Sequence, residues 1–241
     1  MRVDAQPAFL LHTRPYRDSS LLVDFLTAEY GRVSAVAKGV RGTGKSATQR
    51  RGYLQIFSPL YIGWSGRGDL KTLRAFEPRS QAFRLQGHRL FSGMYLNELL
   101  IRLLSQGHDD QMAIFSLYEW VLGALAQEDN LDAVLRHFEL SLLRELGYGI
   151  DLASEADSHA PIEPHACYHY VPGFGLRRAD RVAGRDVYRG DILLRIASGC
   201  IDVDTAPTAK RLCRQALAPH LGDRPLRSRE LFVRAGEGGQ V

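Results

Sequence analysis

The fold is decided by three consecutive pieces of the chain: LLVDFLT at residues 21–27, the turn EYG at 29–31 and RVSAVAKGV at 32–40. The first and third pieces are rich in β-branched and large apolar side chains, which favour strands. Gly31 provides the positive φ that a tight turn between strands often needs. The sequence therefore predicts two strands joined by a turn, within an N-terminal region built from strands.

Further short apolar segments lie on both sides of this pair of strands. Residues 8–12 precede it, and residues 54–62 and 69–76 follow it, with the glycine-rich turn WSGRG at 64–68 near the last of them. Five short strands within about 75 residues are typical of a small closed barrel. We predict an OB-fold domain at residues 1–79.

Leucine-rich helical periodicity replaces the strand pattern after Glu77-Pro78. Asn130 is a suitable N-cap for the third of the predicted helices. The predicted fold class is therefore α+β, with the barrel followed by a mainly α-helical domain whose first part spans 80–150 and whose C-terminal part spans 183–241. The predicted helices lie at about 81–104, 111–126, 130–146, 185–197, 208–217 and 228–235.

Residues 151–182 interrupt the helical pattern with few leucines and no period. They contain four side chains that could bind zinc, His159, His165, Cys167 and His169. The spacing H-x-C-x-H does not match a knuckle that supplies two ligands from one tight turn. We therefore predict a small irregular insertion without a bound metal or other cofactor. A zinc-dependent protein-interaction module remains as an alternative.

The formal net charge of +4 is unevenly distributed. Residues 1–80 carry a balance of +7 and residues 81–241 a balance of −3, and no acidic residue lies between Glu29 and Asp69. A cationic N-terminal region favours a polyanion such as nucleic acid as its partner. The candidate DNA-binding residues are the cations of this region: Arg14, Arg32, Lys38, Arg41, Lys45, Arg50, Arg51, Arg67 and Lys71.

The segment Gly39–Ser46, GVRGTGKS, matches the phosphate-loop pattern G-x-x-x-x-G-K-[ST]. A phosphate loop opens a helix, whereas only residues 47–51 separate Ser46 from Gly52, which leaves barely one helical turn. No apolar strand ending in aspartate follows to hold Mg²⁺. We interpret the segment as a basic loop between barrel strands, and a phosphate-loop nucleotide-binding protein remains as an alternative.

The sequence does not predict an enzyme, because no nucleophile, base and orienting group can be recognised together. No stretch approaches the ~18 consecutive apolar residues of a membrane span, and no secretory signal is visible at the N-terminus. Three cysteines without C-x-x-C spacing give no disulfide framework. We therefore expect a cytoplasmic protein without membrane contact.

The chain also carries a series of longer motifs: F-x-L-H-x-R-P-Y at 9–16, GRV at 31–33 with AKGVR at 37–41, GRGDLKTL at 66–73, GMYLNELL at 93–100, RHFEL at 136–140, LGYG at 146–149 and PLRSREL at 225–231. Together these motifs closely resemble those of the RecO family of bacterial recombination mediators. The resemblance is collinear over nearly the whole chain, which makes it more specific than any single motif.

The resemblance implies a recombination mediator in DNA repair that binds single- and double-stranded DNA and anneals complementary strands. It implies that the protein, with RecR, helps to load RecA onto strands coated by single-strand-binding protein, whose acidic C-terminal tail it recognises. It also implies association with the nucleoid. It further implies that residues 151–182 are a small zinc-ribbon-like insertion. Zinc-bearing members have paired cysteines there, whereas this chain has only Cys167, so we predict a degenerate insertion with no metal and no other cofactor.

Individual site residues also follow from the resemblance. Lys38 and Arg41 fall on family positions associated with DNA contact. Arg136 matches a position implicated in holding the tail of single-strand-binding protein. Lys210, Arg211 and Arg214 lie on a basic helix that is expected to contribute to the same partner-tail site or to DNA binding.

Overall fold

Strand-forming sequences in the first 78 residues produce five strands. They are β1 (Arg2–Tyr16), β2 (Ser20–Thr27), β3 (Gly31–Ala37), β4 (Pro59–Ser65) and β5 (Leu70–Pro78). The structure is a computed structural model that describes residues 1–106, 111–179 and 187–237. Strands β2 and β3 pair antiparallel through the turn at Gly31, whose φ is 58°. The predicted pair of strands is confirmed.

The five strands close into a barrel in the order β1-β2-β3-β5-β4. Strands β3 and β5 run parallel, and the other neighbouring pairs run antiparallel. Closure by five strands in this order is the architecture of an OB-fold, so the predicted fold class is confirmed. The largest side chains that fill the interior are Trp64, Phe25, Leu10, Leu60 and Ile62.

The connection between β3 and β4 differs from the prediction. Residues 45–53 form a helix, α1 (Lys45–Tyr53), and β4 begins only at Pro59 instead of near Leu54. Helix α1 buries none of its side chains. A helix without a buried apolar stripe leaves no periodic signal in the sequence, which explains why the pattern did not reveal it.

Six further helices follow the barrel in residues 87–106, 111–179 and 187–237. Asn130 caps α4 as predicted, since its side chain accepts a hydrogen bond from the backbone N of Ala133 at 3.0 Å. Helix α2 starts at Gly87, six residues later than the pattern indicated, and a short strand replaces the predicted start of α5. No helix in the described part of the chain is long and apolar enough to cross a membrane. The helices are α2 (Gly87–Leu103), α3 (Met112–Gln127), α4 (Leu131–Glu145), α5 (Gly190–Ala197), α6 (Ala206–Leu221) and α7 (Ser228–Glu237).

The chain divides into two compact units. The first unit contains Met1–Gln127 together with Pro225–Val241, and the second contains Glu128–Arg224. The barrel, α2, α3 and α7 thus belong to the first unit, and α4, α5 and α6 belong to the second. The predicted domain limits within the chain stay predictions.

Helices α2 and α3 cover one outer face of the barrel. The ring of Phe9 on β1 packs against Phe115 and Tyr118 of α3, with ring centroids 5.3 and 5.2 Å apart. Asn97 of α2 donates a hydrogen bond to the backbone carbonyl of Leu11 at 2.9 Å and accepts one from the Tyr118 hydroxyl. Outward-facing residues of β1 and β2 are consequently buried: Phe9, Leu11, Leu22 and Leu26.

The second unit contains a small antiparallel sheet. Its strands are β6 (Cys167–Val171), β7 (Gly175–Arg178) and β8 (Val187–Arg189), in the order β7-β6-β8. Residues 151–179 of the predicted irregular insertion therefore contain two strands, and its last residues, 180–182, lie outside the described residues. At five and four residues they are too short and too polar to show the alternation by which strands are recognised.

The carboxylate of Glu98 on α2 caps the first turn of α7. Its oxygens accept hydrogen bonds from the backbone N of Arg227 at 2.9 Å, and from the backbone N and hydroxyl of Ser228 at 2.8 and 2.6 Å. The first N–H groups of a helix have no partner within the helix, so an anion is stabilising there. Burial acts to raise the pKa of Glu98, but the hydrogen bonds from Ser228 and Arg227 lower it.

We expect Glu98→Gln to lower the free energy of unfolding near neutral pH by about 1 kcal/mol, as for the loss of other helix caps. Because the folded-state pKa of Glu98 is lowered, its contribution is present above the unfolded pKa, for which the reference value is 4.5, and is lost as the pH falls through the folded pKa. Urea denaturation at several pH values measures the difference from the wild type. A difference that grows on acidification would contradict the cap.

Candidate nucleic-acid interface

The connection after β3 brings predicted cations against the turn between β1 and β2. The backbone N of Arg41 donates to the carbonyl of Ser19 at 2.9 Å, and Nη1 of Arg41 donates to the carbonyl of Arg17 at 3.1 Å. Lys38, at the end of β3, is exposed, and so is Arg14 on β1 just before the turn. We call Arg14, Arg17, Lys38 and Arg41 the turn cluster.

Helix α1 continues the cationic surface. Nη1 of Arg50 lies 3.5 Å from the carbonyl oxygen of Lys38, and the Arg50 guanidinium stacks on Phe76 of β5 with its Cζ 5.1 Å from the ring centroid. Lys45 is the first residue of α1, and both Lys45 and Arg51 are exposed. The three cations predicted on this segment therefore lie on a helix next to the turn cluster.

The segment Gly39–Ser46 leads from a strand into a helix, which corrects our expectation of barely one helical turn after Ser46. In this respect it is similar to a phosphate loop. However, the Arg41 amide already donates to Ser19. The parallel neighbour β5, whose Thr72 lies beside Val36, contains no aspartate that could hold Mg²⁺. The segment has the helix of a phosphate loop but lacks this metal ligand.

Arg67 and Lys71 lie apart from the turn cluster. They line a cavity of about 220 Å³ together with Tyr30 and Trp64, whose rings meet edge to face at 5.3 Å. Tyr30 immediately precedes β3, whereas Lys38 of the turn cluster immediately follows β3. The backbone of Lys71 pairs in register with Ala35, two residues before the end of β3. The predicted DNA-binding cations thus form two groups, the turn cluster with α1 and the pair that lines this cavity.

Arg32 has a different environment from the other predicted cations. Its Nη1 donates to the carbonyls of Ile101 and Leu104 at 2.6 and 3.1 Å, and its Nη2 lies 3.4 Å from Oδ1 of Asp24. A guanidinium on the last carbonyls of α2 stabilises the negative end of that helix. Because these donors are used inside the protein, the placement does not support the predicted DNA contact of Arg32.

The barrel cations and those of the second unit differ in their pairing. Several cations of the second unit form ion pairs: Arg136, Arg144, Arg177, Arg178, Arg189, Arg195 and Lys210. On the barrel, eight of the predicted cations form no ion pair with any residue that the structure describes. They are Arg14, Lys38, Arg41, Lys45, Arg50, Arg51, Arg67 and Lys71. A cationic surface that is not neutralised by nearby carboxylates attracts polyanions.

Two further cations of this surface were not among the predicted residues. Arg17 belongs to the turn cluster, and Arg74 on β5 is exposed, with its Nε donating to the hydroxyl of Ser65 at 2.8 Å. The position of Arg17 in the turn between two predicted strands was a usable signal. Arg74 follows the buried Leu73, so alternation along β5 indicated an outward side chain.

Arg136, predicted to hold a partner's tail, is buried in the second unit. Its Nη2 lies 2.6 Å from Oε1 of Glu139, and the two side chains are 5% and 2% exposed. Burial, followed by the charge of Glu139, raises the pKa of the neighbouring Cys213 thiol well above its usual value. The Nε of Arg136 is buried with no hydrogen-bond partner among the described residues. The pair is part of the packing between α4 and α6.

The three predicted tail-binding cations of α6 differ in accessibility. Lys210 lies 3.4 Å from Oδ1 of Asp132, an exposed pair. Arg211 donates to the carbonyl of Val187 at 3.0 Å, and its guanidinium lies 4.5 Å from the centroid of the Tyr188 ring. Arg214, one turn beyond Lys210, is exposed. Arg214 is thus the most accessible cation of this set.

The four candidate zinc ligands do not converge. His159, His165 and His169 are exposed, and no three His, Cys, Asp or Glu side chains of the described residues are grouped to hold a metal ion. The segment is instead packed on the start of α5, where a Cβ on Gly190 would stand 2.0 Å from the carbonyl oxygen of Glu163. This placement does not support the alternative of a zinc-dependent module.

Comparison with known families gives two matches that together span almost the whole chain. A family model described as the N terminal part of recombination protein O matches residues 1–82. A second, described as the C terminal part of recombination protein O, matches residues 84–230.

Curated relatives give the same result. The DNA repair protein RecO of Cellvibrio japonicus is 45% identical over 238 residues, which cover 97% of this chain and 98% of the relative. The protein of the same name from Tolumonas auensis is 46% identical, with 95% of each chain covered. That of Photobacterium profundum is 42% identical, again with 95% of each chain covered.

Proposed function

Since the chain belongs to the RecO family of DNA repair proteins, we propose that it is a recombination mediator that binds single- and double-stranded DNA through its barrel. It anneals complementary strands and, with RecR, helps to load RecA onto strands coated by single-strand-binding protein. It does this without catalysing a covalent reaction, in the cytoplasm and in association with the nucleoid. The parts played by RecR and RecA are proposed from family membership alone.

One observation carries the proposed DNA binding. Eight predicted barrel cations form no ion pair within the described part of the chain, and six of them lie on the turn cluster and α1. The phosphate backbone supplies most of the free energy of sequence-independent binding through such contacts. We propose that this surface binds phosphates without reading base sequence.

Annealing follows from the same chemistry. Two complementary strands repel each other through their phosphates, and this repulsion falls when cations neutralise part of the charge. A continuous cationic surface from the turn cluster to α1 can contact more than one strand segment. We therefore propose that the protein accelerates pairing by lowering electrostatic repulsion, while the specificity of pairing comes from the strands.

For the acidic tail of single-strand-binding protein we propose the surface of α6 around Arg214. Lys210 lies one turn away, and its pair with Asp132 is exposed, so an incoming carboxylate can replace Asp132 at little cost. Arg136 and Arg211 lie deeper. We propose that they contribute to the tail site by holding α4, α6 and β8 together.

The strand, loop and helix around Gly39–Ser46 favour a second candidate, a nucleotide-binding protein. A loop of this kind binds phosphate groups whether they belong to a nucleotide or to a DNA backbone. The lack of an aspartate on β5 speaks against a Mg²⁺–nucleotide complex. We therefore propose a DNA phosphate as the ligand of this loop.

Salt dependence tests the proposal. We expect the logarithm of the association constant for single-stranded DNA to fall linearly with the logarithm of the salt concentration. If five of the eight cations contact phosphates, the slope is about −3.5, since each contact contributes about −0.7. Fluorescence anisotropy of a labelled oligonucleotide measures it.

The same titration discriminates between the two candidates. Mg²⁺–ATP is expected to leave the bound oligonucleotide in place at concentrations that a nucleotide-binding site would saturate. Displacement by ATP would favour the nucleotide-binding protein, and an affinity independent of salt would contradict binding through phosphates.

A further inference from the structure

The outer surface of β4 and β5 remains open where α2 and α3 cover β1 and β2. A shallow trough of about 440 Å³ lies on this surface. Tyr61 lines it, with 38% of its surface exposed. Since Tyr61 pairs in register with Pro7 and Glu77, it lies on the middle strand of the three that form this surface.

The floor of the trough is made of small residues. Gly63 of β4 lies opposite Ala75 of β5, and Ala5 of β1 completes the lining on the other side. A Cβ on Gly63 would already approach the carbonyl oxygen of Val3 to 3.2 Å. Three residues with almost no side chain leave a low, flat area beside the Tyr61 ring. Such a surface accommodates a planar group.

Two guanidinium groups border the trough. Arg50 lines it while stacking on Phe76, and Arg74 lines it while binding Ser65. Neither forms an ion pair with a described residue. Glu77 lines the trough with a carboxylate, and Oδ1 of Asp4, which pairs with Arg2, lies 3.7 Å from where a Cβ on Gly63 would stand. The trough therefore combines an exposed ring with an excess of positive charge, which together suit a base and its phosphate.

Arg50 also connects the trough to the turn cluster. Its Nη1 lies 3.5 Å from the carbonyl oxygen of Lys38, while its guanidinium covers Phe76 at the edge of the trough. A DNA strand whose phosphates contact the turn cluster thus has bases within reach of Tyr61. Bases of single-stranded DNA are free to unstack, whereas those of a duplex are held in the helix.

We propose that the β4–β5 trough is a base-stacking site for single-stranded DNA, with Tyr61 as the stacking platform and Arg74 as an additional phosphate contact. The proposal rests on the proposed DNA binding and adds a reason for the protein to distinguish single strands from duplexes. Phosphate contacts alone attract both single strands and duplexes. A stacking platform strengthens the binding only of a strand whose bases are accessible.

Tyr61→Ala tests the proposal. We expect it to weaken binding of single-stranded DNA about tenfold, the effect of removing one aromatic platform, and to leave the affinity for a duplex within about twofold, because paired bases make no use of the ring. Tyr61→Phe, which keeps the ring, should bind single strands like the wild type. Anisotropy with matched single-stranded and duplex probes gives both affinities.

Photo-crosslinking identifies the contact directly. A single-stranded oligonucleotide that carries 5-iodouracil is expected to crosslink to Tyr61, with the modified peptide identified by mass spectrometry. Tyr61→Ala should lose this crosslink. Tyr148→Ala serves as a matched control, because Tyr148 is 49% exposed and lies on the second unit, and it should bind and crosslink like the wild type.

The outcomes separate this inference from the proposed function. If the wild type binds neither probe, the proposed DNA binding fails. If the wild type binds both but Tyr61→Ala changes neither affinity, or lowers both equally, the stacking site is overturned. Unchanged affinities would indicate that Tyr61 belongs to a surface for protein contact. An equal loss of both affinities would indicate a general loss of fold. Arg74→Gln is expected to weaken both probes by a similar, smaller factor, and a loss confined to single strands would contradict its assignment as a phosphate contact.

Discussion

Replacing Lys38 and Arg41 together by alanine is expected to weaken binding of single-stranded DNA roughly tenfold at moderate salt and to reduce the slope of its salt dependence by about 1.4, two phosphate contacts at about 0.7 each. Duplex binding should fall as well, because both forms present phosphates to the turn cluster. The change in slope is the more specific result, since it counts contacts and not only affinity. Anisotropy titrations at four or more salt concentrations measure it.

A control with the same loss of charge shows whether position matters. Arg84→Ala with Arg224→Ala removes two exposed cations that lie outside the proposed DNA surface and form no ion pair with a described residue. This variant should keep both the affinity and the slope of the wild type. If it weakens binding as much as the Lys38 and Arg41 variant does, the overall charge and not the turn cluster determines affinity.

Glu139→Ala is expected to have the largest effect on stability. It removes the carboxylate that lies 2.6 Å from Nη2 of Arg136 and leaves a guanidinium that is 5% exposed without its charge partner. Breaking a buried pair in this way typically costs about 3–5 kcal/mol. The total free energy of unfolding of a protein domain is only about 5–15 kcal/mol. Thermal or urea unfolding should therefore detect the change easily.

The double variant Arg136→Met with Glu139→Leu tests whether the instability of Glu139→Ala comes from the buried charge that is left without its partner. Replacing both charges by apolar side chains of similar size removes the uncompensated charge, so stability should return close to that of the wild type. If the double variant is as unstable as Glu139→Ala, the pair is not the source of the effect. The folded double variant also shows whether a partner's tail needs the Arg136 charge itself.

Local patterns in the sequence predicted the barrel and most of the helices, because those features depend on neighbouring residues. The β-branched and apolar side chains of β2 and β3 and the glycine at the turn are visible within about 20 positions, and Asn130 is recognisable as a cap from its own surroundings. Helix α1 escaped prediction because it buries none of its side chains, so the periodicity that reveals other helices is absent.

The candidate site was less predictable because it depends on distant parts of the chain. Arg32 was grouped with the free cations, but the carbonyls that it binds lie 69 and 72 residues further along. The spacing of Arg136 and Glu139 is visible in the sequence, whereas their burial depends on α6. Nor did any local pattern indicate that Tyr61 is exposed, since its exposure depends on which barrel face α2 and α3 cover.

The cover that α2 and α3 form over β1 and β2 has a consequence for where the chain can be cut. The family match at residues 1–82 ends before either helix begins. A fragment with those limits would present Phe9, Leu22 and Leu26 to water and would leave Arg32 without its carbonyls. Large exposed apolar patches promote aggregation. The family match and the compact unit therefore have different ends: covering these side chains needs α2 and α3, which end at Gln127, and the same compact unit also contains Pro225–Val241.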